Sequence, residues 1–321
     1  MYMFSNILGV FVFDEEFKVI DSILFNSLEQ YKNKEEYLEK IKNKHEDLKE
    51  PDNNALTRIL LYFKNDEFFN DFYNKNLQLT KYDVKNSVHT DTLIVQSIKS
   101  INELDRAINL LVKRLREWYE LHNPEFSVAM QSHEKFVEEI INKEKKDLLK
   151  ELKVDAGDSF GADLRKEHLE PIKSLALQIH SLYQLRNSQE SYISVLMDES
   201  CPNLKAVCGV LVGAKIMEQA GSLKRLSEMP ASTIQILGAE KALFRHMKTG
   251  AKPPRHGFIV NHPLIAKAPD NMHGKIARAL ADKICIAAKV DFFKGEFIGD
   301  KLRDKLDKKF AKRRNSIGIP G

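Results

Sequence analysis

Basic side chains gather in one stretch of the sequence, residues 236–262, where a short helical segment is followed by a proline-containing loop. Lys241, Arg245 and Lys248 are spaced four and three residues apart, which places them on one face of a helix. Such a face offers ammonium and guanidinium groups to phosphates, although cations at this spacing are also common on a plain solvated face. Both readings stay open on the helix alone.

The loop after this helix, 251–257, reads AKPPRHG. Pro253 and Pro254 favour an extended and stiff backbone, so Lys252, Arg255 and His256 would be held on a semi-rigid arm. We predict that the helix face and this arm together grip a phosphate backbone.

Glycines bracket the helical segment, and glycine readily adopts the left-handed conformation that helix ends often need. We expect Gly238 to precede the helix and Gly250 to end it. The spacing also predicts one apolar face, formed by Ala239, Ala242, Leu243 and Met247.

The sequence contains no HExxH, no Gly-x-Ser-x-Gly and no glycine-rich nucleotide loop. The histidines of the basic region, at 246, 256, 262 and 273, have irregular spacing and lack cysteine or carboxylate companions, so no metal site is predicted. The three cysteines form no CxxC pair. We therefore expect a chain that is not an enzyme, with no catalytic residue, no metal and no cofactor of its own.

Charge is segregated along the 321 residues, although the net charge is only +4. Residues 241–321 hold 19 Lys/Arg against 7 Asp/Glu, whereas the other residues hold 31 against 39. This distribution predicts a polyanionic partner for the basic end and protein partners for the acidic remainder.

The periodicities predict a mainly α protein of three domains. Residues 1–90 form a small α/β domain with a hairpin of Ile7–Phe13 and Phe17–Phe25. We expect most of its many aromatic residues to fill a small core, although such an excess also suits a protein-docking surface. Residues 91–203 form a long helical coiled-coil hairpin. Residues 204–321 form an all-α domain in which 258–261 is extended and 300–314 is a basic helix that frays into a loose tail.

A heptad-like seam runs along the second long helix of the hairpin. A lone hairpin with so regular a seam usually buries more apolar surface, so we predict homodimerisation through it in preference to monomeric exposure. The residues assigned to the dimer contact are Ile172, Leu175, Ile179, Leu182, Ile193 and Leu196.

The apolar run Ile7–Phe13 is too short to span a membrane and has no basic segment before it. We expect no membrane partner and a cytoplasmic location.

The tract at 229–257, MPASTIQILGAEKALFRHMKTGAKPPRHG, is long and unusual in composition. With HEKF at 133–136, LYQLR at 182–186, CPNL at 201–204 and GKIARALADK at 274–283, it resembles the Nop domain family over most of 90–290. That family includes scaffold proteins of box C/D RNA-guided methylation complexes and a spliceosomal relative. The layout resembles the archaeal box C/D branch; a eukaryotic chain of this kind would be nucleolar.

The resemblance implies specific partners. The N-terminal domain would dock fibrillarin, which carries the S-adenosylmethionine, and the central helices would self-associate. The C-terminal Nop domain would bind a box C/D guide RNA together with a ribosomal-type kink-turn-binding protein. Glu240, Lys241 and Arg245 would meet that composite surface, and the RNA contacts would come from Lys248, Lys252, Pro253, Pro254, Arg255 and His256.

We therefore predict a non-enzymatic scaffold that recruits fibrillarin for 2′-O-methylation of rRNA or tRNA. The alternative within the family is a splicing-type protein that binds a kink-turn RNA without fibrillarin. An alternative from another class, a methyltransferase in its own right, would need a cofactor loop after a strand, and the sequence has none.

Overall fold

A computed structural model describes residues 1–45, 47–64 and 66–315. It divides into two compact units between His89 and Thr90. Among its described residues, the first unit contains three strands and four helices: β1 (Tyr2–Asn6), β2 (Gly9–Phe13), β3 (Val19–Leu24), α1 (Leu28–Lys32), α2 (Lys34–Lys44), α3 (Asn53–Tyr62) and α4 (Asp66–Asn86).

The sheet of the first unit is antiparallel in the order β1-β2-β3, with Tyr2 opposite Phe13 and Gly9 opposite Leu24. Every residue of β2 is buried, because its alternating side chains enter two different clusters. Phe11 and Phe13 pack with residues of α3, and Val10 and Val12 pack with Ile41 of α2. The predicted hairpin is present, and β1 adds a strand that the sequence pattern did not indicate.

The second unit is helical throughout. Its helices are α5 (Thr90–Glu120), α6 (Pro124–Ala129), α7 (His133–Asn142), α8 (Lys145–Glu151), α9 (Lys166–Ser200), α10 (Pro202–Cys208), α11 (Val210–Ala220), α12 (Leu223–Glu228), α13 (Ala231–Ile236), α14 (Glu240–Thr249), α15 (Pro263–Ala266), α16 (Asp270–Phe292) and α17 (Gly299–Asn315), with short 3-10 helices at Ala156–Asp158 and Phe258–Asn261. The mainly α fold class is thus confirmed. Within the described residues, no helix combines the length and hydropathy that a bilayer crossing needs.

The segment 258–261 is a turn of 3-10 helix, so the predicted extended conformation is wrong. Two backbone bonds explain the difference: the Gly257 N–H donates to the Gln235 carbonyl, and the Phe258 N–H donates to the Leu237 carbonyl, each at 2.8 Å. These bonds fix where the segment starts and override its β-branched composition. The basic helix predicted at 300–314 is present, and the loose tail expected after it lies outside the described residues.

Helices α5 and α9 pack against each other as the predicted hairpin. Arg186 on α9 donates through Nε to the Asp105 carboxylate on α5 at 3.2 Å, which ties the two helices in register. At the end of the hairpin next to the segment 121–165, the two long helices share a core with α6, α7 and α8, which we call the far core. At the other end they share a core with α10 to α13 and α15 to α17, which we call the near core. The domain boundary predicted between residues 203 and 204 therefore runs through the near core, whose residues come from both sides of it.

The seam of α9 packs largely inside this chain. Ile172, Ile179 and Ile193 have no exposed surface. The other three assigned residues are Leu196, which is buried, and Leu175 and Leu182, which pack half-buried against the far core. The four buried residues are thus used by this chain's own core, whereas a dimer contact of Leu175 and Leu182 stays a prediction. Helical periodicity marks a buried stripe, and here the stripe is covered by α5, α7 and the near core.

A buried carboxylate in the near core, that of Asp291, connects α16 to the start of α10. Asp291 on α16 accepts hydrogen bonds from the Asn203 N–H at 3.1 Å, the Asn203 Nδ2 at 2.8 Å and the Leu204 N–H at 2.8 Å. It thereby caps α10, whose first N–H groups have no partner inside the helix. Burial raises the pKa of Asp291. The Asn203 Oδ1 accepts from the Ile298 N–H at 2.7 Å, which fixes the approach to α17.

Candidate ribonucleoprotein-binding surface

Helix α14 carries three of the predicted cations, and both of its ends are fixed by glycine. Gly250 adopts φ +70° and donates its N–H to the His246 carbonyl at 2.9 Å, so it ends the helix as predicted. Gly238, at φ +85°, lies against the Phe258 ring, and its N–H donates to the Glu240 carboxylate at 2.7 Å. Glu240, predicted to meet a partner, thus also holds the start of its own helix.

No residue of α14 is buried. Lys241, Arg245 and Lys248 are exposed, and none of them forms an ion pair with the side chains that the structure describes. Phe244 and Met247 lie on the same short helix with 59% and 71% of their surface exposed. The surface of α14 therefore combines free cations with uncovered apolar side chains.

The predicted apolar face of α14 is only partly covered. Ala239 and Leu243 are half-buried, whereas Ala242 and Met247 are exposed. The sequence pattern correctly predicts an amphipathic helix, but this chain leaves much of its apolar side open. Phe244 was missed because it falls outside the apolar spacing that we traced.

The proline loop is anchored by the segment that precedes α14. The Gln235 Nε2 donates to the Arg255 carbonyl at 2.7 Å, and the Gln235 carbonyl accepts the Gly257 N–H. At the other end of the loop, His246 bonds the Ala251 carbonyl. Gly257 is required by close approach, because a Cβ atom there would lie 1.8 Å from the Leu237 carbonyl oxygen.

Lys252 and Arg255 of this anchored loop are exposed. The Arg255 Nη1 reaches the Asp270 carbonyl at 3.4 Å, at the edge of hydrogen-bonding distance. Lys252 makes no ion pair within the described residues. The loop thus presents its cations from a backbone that Gln235 and His246 hold at its two ends.

His256 lies half-buried against His273, with the ring centroids 5.7 Å apart. Burial, together with His273 and Arg255, lowers the pKa of His256, so its ring is neutral near pH 7. His256 can therefore stack or exchange hydrogen bonds at this surface but adds no charge to it.

The sequence analysis also missed Gln235, because its role in anchoring the loop depends on which carbonyl its side-chain amide reaches in the folded chain.

The geometry brings the nine predicted residues of 240–256 into one continuous segment built from a helix and an anchored loop. The family model described as Nop, snoRNA binding domain, fibrillarin, matches residues 100–312, which include all nine. The chain belongs to the Nop domain family.

Named relatives are similar over much of the chain. An uncharacterized NOP5 family protein of Methanocaldococcus jannaschii is 40% identical over 275 residues, covering 81% of this chain and 66% of that protein. Nucleolar protein 56 of Caenorhabditis elegans is 37% identical over 254 residues, which are 70% of this chain and 52% of that protein. Nucleolar protein 58 of Coccidioides immitis is 40% identical over 215 residues, 63% of this chain and 35% of that protein. The chain therefore spans between a third and two thirds of the length of these relatives.

A solved structure, titled crystal structure of fibrillarin/Nop5p complex, is also similar. The alignment covers 97% of this chain and 99% of the other, with 23% identity and a TM-score of 0.45.

Proposed function

We propose that this chain is a non-enzymatic scaffold of a box C/D guide ribonucleoprotein. It binds a guide RNA together with a kink-turn-binding protein through its basic surface and recruits fibrillarin for 2′-O-methylation of rRNA or tRNA. The observation that carries the proposal is the surface formed by α14 and the loop 250–257, which lies inside the region matched by the Nop family model.

The charges of this surface favour a phosphate backbone as one partner. Lys241, Arg245, Lys248, Lys252 and Arg255 are exposed on adjoining segments. Folded RNA is recognised largely through phosphates, 2′-hydroxyls and shape, and cations on a fixed backbone match that requirement. The absence of ion pairs with described side chains leaves these groups free to contact phosphates without first breaking an ion pair.

The apolar side chains of α14 favour a protein as the second partner. Phe244 and Met247 are more than half exposed on a helix only ten residues long. Aromatic and methionine side chains are enriched at protein interfaces, and RNA phosphates offer them nothing to pack against. We therefore propose that the surface binds a composite of RNA and protein, and that naked RNA binds weakly.

The first unit is proposed to dock fibrillarin. Helix α4 carries uncovered apolar side chains, among them Phe69 at 56%, Tyr73 at 59% and Val84 at 64% exposure. Exposed apolar clusters of this kind mark protein-binding sites. In this scheme the S-adenosylmethionine lies on fibrillarin, and the scaffold contributes by holding the methyl donor near the target 2′-hydroxyl.

Self-association is proposed through a different stripe of α9 from the buried seam. Leu177, Leu185, Tyr192 and Val195 are 45% to 55% exposed. Their spacings of eight, seven and three residues place them on one side of the helix. We propose this exposed stripe as the contact between copies, in place of the four seam residues that are buried.

Affinity measurements test the basic surface. The quadruple variant Lys241→Ala, Arg245→Ala, Lys252→Ala and Arg255→Ala is compared with the wild type for binding to a box C/D guide RNA preloaded with the kink-turn-binding protein. We expect a large loss of affinity and a shallower salt dependence, by about 0.7 to 0.9 in the logarithmic slope for each lost phosphate contact. A control of equal charge replaces Lys99, Arg106, Arg114 and Lys289, which are exposed elsewhere in the second unit. If both variants bind like the wild type, the proposed surface is wrong.

A further inference from the structure

The far end of the α5–α9 hairpin contains a lysine-lined cavity that the proposed surface does not use. Its volume is about 380 Å³, and it lies among α8, the start of α9 and the segment between them. Five lysines and His122 line it, against three carboxylates, Glu144, Asp163 and Glu170.

Two of the lysines are already paired. Lys145, whose side chain is only 10% exposed, donates to the Gly161 carbonyl at 2.8 Å and to the Asp163 carboxylate at 2.9 Å. Lys143 pairs with Glu139 and Glu151. The remaining cations, Lys146, Lys166 and Lys173, form no ion pair with any side chain in the described ranges. They are available to an anionic ligand.

His122 adds a histidine ring to the cavity wall. It is 7% exposed, and its Nδ1 lies 2.8 Å from the Ala162 carbonyl oxygen. A carbonyl can only accept, so Nδ1 carries the proton and Nε2 is the free nitrogen of the ring. Among the described residues Nε2 has no hydrogen-bond partner, and His122 lines the cavity. Burial, assisted by Lys145 and Lys173, lowers the pKa of His122.

The start of α9 lies at the same place. Lys166 and Glu170 of its first two turns line the cavity, and the side chain of the N-cap residue Arg165 makes no capping bond. The positive end of a 35-residue helix therefore adds to the field of the lysines.

Phe160, three residues before Asp163, is 95% exposed, although its backbone is firmly held. The Phe160 N–H donates to the Glu125 carboxylate at 2.7 Å, and the Ser159 hydroxyl donates to the same group at 3.0 Å. The next residue, Gly161, passes so close to His122 that a Cβ atom would lie 2.1 Å from the His122 carbonyl oxygen. The loop thus presents a bare aromatic ring from a fixed position.

Phe160 lies in the same segment, 152–165, as Asp163 and Leu164 of the cavity wall, and Lys145 of that wall donates to the carbonyl of its neighbour Gly161. Proteins bind single-stranded nucleic acid with this combination of an aromatic ring, on which a base stacks, and cations, which pair with phosphates. We infer that the hairpin tip is a second RNA contact, at which a single-stranded segment places a phosphate among Lys146, Lys166 and Lys173 and stacks a base on Phe160. The inference extends the proposed function, but it does not depend on the surface of α14.

Fluorescence anisotropy with a labelled oligouridylate of about ten nucleotides tests the inference. The chain carries the quadruple substitution on the α14 surface, which removes most of that surface's cations from the measurement. We expect Phe160→Ala, and separately Lys146→Ala with Lys173→Ala, to weaken binding about five- to a hundredfold, and Phe160→Tyr to retain it. Matched controls are Val128→Ala, an exposed apolar residue of the same region, and the pair Lys99→Ala and Arg106→Ala. Equal affinity of the tip variants and their controls overturns the inference, whatever happens at α14.

Stacking is tested separately with a tryptophan reporter. The one native tryptophan is removed by Trp118→Phe, and Phe160→Trp is introduced in its place. We expect oligouridylate and oligoadenylate to quench the new tryptophan, and inorganic phosphate at matched ionic strength to leave it unchanged. If inorganic phosphate quenches the new tryptophan equally, the tip binds a ligand other than RNA. The same conclusion follows if Phe160→Ala binds RNA normally but loses binding to fibrillarin or to the kink-turn-binding protein.

Discussion

One methyl group at Gly257 should disable the basic surface without changing its charge. In the variant Gly257→Ala, the new Cβ would lie 1.8 Å from the Leu237 carbonyl oxygen, about 1.6 Å short of the 3.4 Å at which ordinary contacts begin (3.4 − 1.8). The obstacle is backbone, so no side-chain rotation relieves it. The loop must move away from α13, which breaks the bond from the Gly257 N–H to the Gln235 carbonyl.

The size of the effect follows from these two losses. Overpacking of this kind costs about 1 to 3 kcal/mol, and the broken hydrogen bond about 1 kcal/mol more. Movement of the loop also displaces Lys252 and Arg255 relative to α14. Charge-assisted bonds are worth about 1.5 to 3 kcal/mol each, so the loss of one corresponds to about tenfold or more in affinity.

The assay is binding to the guide RNA preloaded with the kink-turn-binding protein at a fixed salt concentration. The control is Gly274→Ala in α16, where the nearest atom to the added Cβ is the Arg255 Cβ at 4.0 Å. Alanine there should stabilise the helix by about 0.5 to 1 kcal/mol and leave affinity unchanged. Wild-type affinity in Gly257→Ala would refute the claim that the held geometry of the loop is required.

Three further predictions concern stability and assembly. Asp291→Ala should lower the free energy of unfolding by about 3 kcal/mol or more, measured by chemical denaturation, because three donors on Asn203 and Leu204 lose their acceptor. Burial lowers the pKa of His262, which is 3% exposed and accepts the Leu264 N–H. Its contribution to the free energy of unfolding is therefore complete above about pH 6.5 and falls as the pH drops below that value. His262→Gln should reduce the loss of stability between about pH 7.5 and 5.5. Light scattering should show that the full chain self-associates and that Leu185→Asp weakens this, whereas a monomer at high micromolar concentration would count against the outer stripe of α9.

Much of the fold follows from local patterns in the sequence. The seam on α9 predicted a long helix and a packed hairpin, and Gly250 ends α14 where its backbone freedom is needed. Periodicity states that a stripe is buried but not what covers it, so residues such as Ile179 were assigned to a second copy instead of to this chain's own core.

The residues of the candidate site could be predicted where their role follows from local sequence, but not where it depends on tertiary contacts. The cations and prolines of 241–255 could be identified from residue type and spacing. The anchoring by Gln235, the exposure of Phe244 and the exposed ring of Phe160 could not, since each depends on what the rest of the fold places beside it or fails to cover.

The central claim is that this chain positions a methyltransferase on a guide RNA and does no chemistry itself. The most direct test is reconstitution of the chain with fibrillarin, the kink-turn-binding protein, S-adenosylmethionine and a guide RNA, followed by site-specific detection of 2′-O-methylation. We predict methylation at the guided nucleotide with the wild-type chain, strong loss with the quadruple variant on the α14 surface, and none when fibrillarin is omitted. Methylation by the chain without fibrillarin, or undiminished methylation when the chain itself is omitted, would contradict the claim.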